Sequence, residues 1–139
     1  MSITQAMPTS FKQELMNEEH DLNSDTFKIA LYTSSASLGA STTAYSSTNE
    51  ISGTGYSAGG ATLTSGALAT SGTTAYADFA DPSWTSASFT ANGGLIYNTS
   101  ASNKAVAVLA FGGDFTVTTG TFTIVFPAAA ASTALIRIA

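Results

Sequence analysis

The residues able to move protons or grip a metal are few in this chain, and they are scattered. A hydrolytic triad needs an imidazole that takes a proton and returns it. His20 is the only histidine, and it stands beside Glu18, Glu19 and Asp21. Its place at the end of a predicted helix assigns it a plainer role, that of a solvated residue favoured by the negative end of the helix dipole. Two carboxylates facing each other across a fixed gap could hydrolyse a glycoside. Asp78 and Asp81 flank a predicted turn, but their odd spacing sends them to opposite faces of a strand. Asp81-Pro82 reads as turn initiation. A calcium ion would draw carboxylate and carbonyl oxygens from loops. Asp78, Asp81 and Asp114 lie near predicted loops, without the dense acidic spacing of an EF-hand. Gly53, Gly55, Gly59 and Gly60 suggest a phosphate loop. Neither the GxxxxGK[ST] nor the GxGxxG pattern is there, and no helical pattern follows. The residues therefore point away from catalysis, and no enzymatic activity, metal or cofactor is expected.

Composition points the same way. Charged residues make up 9% of the 139 positions, whereas the surface of a free-standing soluble domain is roughly a quarter to a third charged. So little charge suits a surface that partners cover. The net charge is −5 and the pI about 4.4. Lys12, Lys28, Lys104 and Arg137 are dispersed, so they form no patch that could displace counterions from nucleic acid or dock on an anionic membrane. Without Cys there is neither a disulfide framework nor a thiolate metal site. The first five residues show no basic and apolar run of a secretion signal. The run from Phe126 to Ile136 is interrupted by Pro127, Ser132 and Thr133. It falls short of the ~20 apolar residues a spanning helix needs.

Charge divides the chain. Seven of the thirteen charged residues fall in the first 28 positions. Residues 1–24 read as a helical segment and 25–139 as a β-sandwich domain. The spacing predicts an amphipathic helix from about Pro8 to His20, with Ser10 and Gln13 at capping-box spacing. Met7, Phe11 and Leu15 recur every four residues and form its apolar stripe. Phe27, Ile29 and Leu31 then alternate with Lys28, Ala30 and Tyr32, the period of a strand. Gly-rich residues 51–61 are expected to loop into Thr62-Leu63-Thr64. Further strands are predicted at 73–79, 84–90, 95–97, 105–111, 115–118, 122–126 and 135–138. Gly112-Gly113-Asp114 and Gly120 are read as turns between them. The expected fold is mainly β, an antiparallel β-sandwich or jelly-roll-like barrel with a short N-terminal helix.

Aromatic residues alternating with polar ones, Trp84 and Phe89 among them, are expected in the core. Tyrosines can bury a ring and keep a wet hydroxyl, so Tyr45, Tyr56 and Tyr97 are candidate interface residues. Met7, Phe11 and Leu15 join them as a possible clip on a neighbouring subunit, with packing on the chain's own sheet as the alternative. Tyr56, Tyr97 or Trp84 could also form a sugar-stacking platform.

Several phrases occur in a set order. They are Asp25-Thr26-Phe27-Lys28-Ile29-Ala30-Leu31-Tyr32-Thr33-Ser34, then Asn49-Glu50-Ile51-Ser52-Gly53-Thr54-Gly55-Tyr56 running on to Ala58-Gly59-Gly60, then Asp81-Pro82-Ser83-Trp84. Gly94-Leu95-Ile96-Tyr97-Asn98, Phe111-Gly112-Gly113-Asp114 and Gly120-Thr121-Phe122-Thr123-Ile124 follow. Together they resemble a group of small virion structural proteins of tailed bacteriophages, from about Asp25 to Ile124. The resemblance implies a part of the particle without catalysis. It would be a capsid decoration or cement protein contacting the major capsid protein, and a homo-oligomer. A tail-associated tube, adaptor or fibre-attachment subunit is the alternative, and a carbohydrate-binding module a second one.

Overall fold

A computed structural model describes residues 2–64, 67–130 and 132–138. The chain is mainly β; among the described residues it has one α-helix, α1 (Thr9–Met16), and seven strands. These are β1 (Phe27–Tyr32), β2 (Ala61–Thr62), β3 (Ala67–Ser71), β4 (Thr74–Asp78), β5 (Ser83–Asn98), β6 (Lys104–Thr123) and β7 (Ile136–Ile138). They form two antiparallel sheets, ordered β2-β1-β5-β6 and β3-β4-β7. Among the described residues neither sheet closes into a barrel.

β1 shows why the large sheet is so well filled. Its side chains alternate between two apolar clusters. Phe27, Ile29 and Leu31 join Trp84, Phe89, Ala77 and Ile136, so the two sheets share this core. Ala30 and Tyr32 join Leu95, Tyr97 and Val108 on the other face, under Ile3, Leu38 and Tyr45. Short bridges tie these coverings to the sheet, Ala6 with Val108 and Ala44 with Lys104.

The helix is shorter than its spacing predicts. It begins after Pro8, so Ser10 lies inside the first turn and makes no cap; its hydroxyl donates to the Thr42 carbonyl. It ends at Met16 because Glu18 takes a left-handed conformation, φ 62°. Glu19 N–H then donates to Glu14 O at 2.9 Å and Glu18 N–H to Leu15 O at 3.3 Å. These two bonds close the helix as a Schellman turn with a non-glycine residue at its left-handed position.

The predicted strands at 84–90 and 95–97 are one strand, β5, and those from 105 to 123 are one strand, β6. The glycines do not turn the chain. They let bulges absorb extra residues, and the pairing with β5 shifts between Ala91 and Gly93 and again around Ala87. Gly112 (φ 81°) and Thr119 (φ 46°) take the left-handed conformations that bulges require. β6 stops at Thr123, so Ile124–Phe126 of the predicted strand 122–126 lie outside it. β3 was not evident from sequence: Ala-Leu-Ala-Thr-Ser has no distinctive alternation.

Candidate functional site

Glu50 organises one polar cluster. The loop between β1 and β2 folds back so that its carboxylate meets three donors. Tyr45 Oη–H donates to Oε1 at 2.7 Å, Tyr56 Oη–H to Oε2 at 2.5 Å, and Gly59 N–H to Oε2 at 2.7 Å. The network then reaches the sheet. Tyr56 Oη accepts from Leu31 N–H at 2.9 Å, and Tyr97 Oη–H donates to Gly59 O at 2.6 Å. Tyr45 stacks on Tyr97 with ring centroids 4.7 Å apart. Tyr32 Oη–H donates to Ser46 O at 2.7 Å. Burial first, and then the Glu50 carboxylate, push the phenols of Tyr32, Tyr45, Tyr56 and Tyr97 above the usual value. These phenols are therefore donors held protonated, and each is engaged within the chain.

His20 is the second centre, and its position corrects the expectation of a solvated residue. The left-handed Glu18 swings the chain back under α1, and the imidazole is buried. It lies 4.9 Å from the Phe11 ring. Asn98 fixes its tautomer. Asn98 Oδ1 accepts from Ser100 N–H, and Nδ2–H donates to Asp25 Oδ2 at 2.7 Å, which orients the amide. The other Nδ2–H donates to His20 Nδ1 at 3.0 Å. The proton of the neutral ring therefore sits on Nε2 and is donated to Glu14 Oε1 at 2.8 Å. Lys104 reaches over from β6 to Glu19 and Glu14. This cluster fastens the helical head to β5 and β6. Asn98 also caps the 3₁₀ turn Thr99–Ala101.

The six candidate interface residues all take part in the chain's own packing, and Leu15 also lines an open hollow. Phe11 and Tyr97 are buried. Met7, Leu15 and Tyr56 pack against the main core, and Tyr45 against the second cluster. Trp84 lies in the core, in edge contact with Phe89 and Phe122. The acids considered for a metal are apart in use. Asp81 Oδ1 accepts from Phe126 N–H, and Asp114 from Asn92. Asp78 is buried; one oxygen accepts from Phe79 N–H and the other has no partner. Among the described residues no three His, Asp or Glu side chains are grouped as metal ligands. Sequence reasoning missed Glu50 as a centre. Its signal was isolation: it is the only charged residue between Lys28 and Asp78.

What remains outward is weakly charged surface. The outer half of the β5–β6 ribbon exposes Thr and Ser, with the hydroxyls of Thr90 and Thr116 paired across it at 2.8 Å. Phe111, Phe115, Phe122 and Val125 line an open hollow of about 280 Å³ there. Compared with protein-family models, curated proteins and solved structures, the chain matches none.

Proposed function

We propose that this chain is a non-enzymatic structural protein of a tailed-phage particle, a decoration protein that stabilises the capsid shell through repeated contacts with the major capsid protein and with its own copies. One observation carries this reading. The side chains that could handle protons, His20 and Glu50 with their tyrosines, are used up in bonds that hold the chain to itself. What it offers outward is a broad surface with little charge, usable for many weak contacts that an array of copies makes strong. The ordered phrases from Asp25 to Ile124 supply the particle. The sugar-stacking alternative has less support: Trp84 and Tyr97 are 6% and 2% exposed, and the Tyr56 hydroxyl is engaged by Glu50 and Leu31.

Particles lacking the chain provide the test. Adding the purified protein is expected to saturate binding sites on the shell and raise its resistance to heat. No binding and no gain in heat resistance contradict the proposal, and binding confined to the tail moves the role to the tail-associated alternative.

A further inference from the structure

The helical head and the small sheet leave an apolar trough open between them. Leu68 pairs with Ala77, Ala77 with Ile136, and Ala75 with Ile138, so these side chains share one face of the sheet. The floor is dry, with Ala77 and Ile136 at 3% and 2% exposure. The walls are not: Leu68 and Ile138 stay 51% and 59% exposed. Leu22, in the turn after α1, lines two adjoining hollows together with Leu68. One, of about 430 Å³, runs towards Leu15; the other, of about 40 Å³, runs towards Ile136 and Ile138. Large aliphatic walls beside a buried floor mark a place where further apolar surface would leave water.

The rim selects what enters. Glu18 and Asp21 line the larger hollow beside the His20 ring, and among the described residues no Lys or Arg lines either one. Hydrogen bonds from the Ser24 hydroxyl and the Asn23 N–H hold the Asp21 carboxyl below its usual value, so it stays charged. A second copy fits this rim poorly. It carries four basic residues against nine acidic ones, and Lys104 already serves Glu14 and Glu19. We propose that the trough receives an apolar segment of a different protein, one flanked by Lys or Arg. This rests on the reading of the chain as an assembly part, and it names the surface through which that part grips its partner. The hollow beside Phe115 carries no such assignment, because none of its lining side chains is charged.

Two synthetic amphipathic peptides test this on the full ¹⁵N-labelled chain, one built of Leu and Lys, the other of Leu and Glu. The Leu/Lys peptide is expected to shift the amides of 15–22, 68, 75–77 and 136–138. Its affinity should fall roughly tenfold when salt rises from about 50 mM to about 500 mM, as screening requires. Leu68→Ser with Ile138→Ser should weaken it by a similar factor, and both positions are exposed enough for the fold to persist. Glu18→Lys, which leaves the walls intact, should narrow the preference for Lys over Glu. Equal binding of both peptides, shifts mapping elsewhere, or no binding overturns the inference. A double variant that still protects particles fully also overturns it, while leaving the structural role standing. A wild-type chain that binds the peptide at the trough but no particle contradicts the structural role instead.

Discussion

Glu50 shows how a charge-poor chain uses a charge. Its carboxylate serves three donors at once, and hydrogen bonds to a charged acceptor contribute about 1.5–3 kcal/mol each. Glu50→Gln keeps the shape but turns one acceptor into a donor facing donors. It is expected to lower the unfolding free energy by about 2–3 kcal/mol, measured as a shifted urea midpoint with unchanged slope. The tyrosines around it predict a pH dependence. Their folded values are raised, and the unfolded phenols titrate at about 10. The unfolded chain therefore loses these protons first. This contribution to stability is complete below about pH 10 and declines as pH rises further. Urea midpoints should be flat across neutral pH and fall beyond about 10, and Tyr45→Phe should make that alkaline fall shallower. An unchanged slope in the variant contradicts the assignment.

Glycine means different things in different elements, and this sets what the sequence could disclose. At Gly60 (φ 84°) an added Cβ would run into the Ile29 carbonyl of β1. At Gly112 (φ 81°) on β6 nothing stands within 4 Å. Both substitutions to Ala force a left-handed residue, at about 1–2 kcal/mol. Only Gly60→Ala must also displace the central strand. Thermal unfolding should show Gly112→Ala losing a few degrees and Gly60→Ala failing to reach a stable fold; similar losses would contradict this packing. The mainly β class, the strand of Phe27–Tyr32 and the helical head were legible, because period and charge distribution are local signals. The continuity of β5 and β6 was not, since turns and bulges draw on the same residues and only pairing with a neighbour distinguishes them. His20 was misread for a similar reason. Its burial follows from the left-handed Glu18 and from Asn98, a residue far along the chain.

The whole molecule is a polar lock inside and a weakly charged surface outside. Two sheets share one core, and loops cover the second face of the larger sheet, so the fold is filled without disulfides. The candidate interface residues of the sequence stripe became part of that filling. Exposed apolar side chains also stand on the small sheet and the ribbon, Leu68, Ile138 and Phe115 among them, on elements whose pairing no local pattern shows. The central claim is that this chain acts by adhesion within a particle. Cryo-EM of purified intact particles tests it most directly: the account predicts density matching this two-sheet fold, in many symmetric copies on the outer shell. Particles that lack the chain altogether would contradict it.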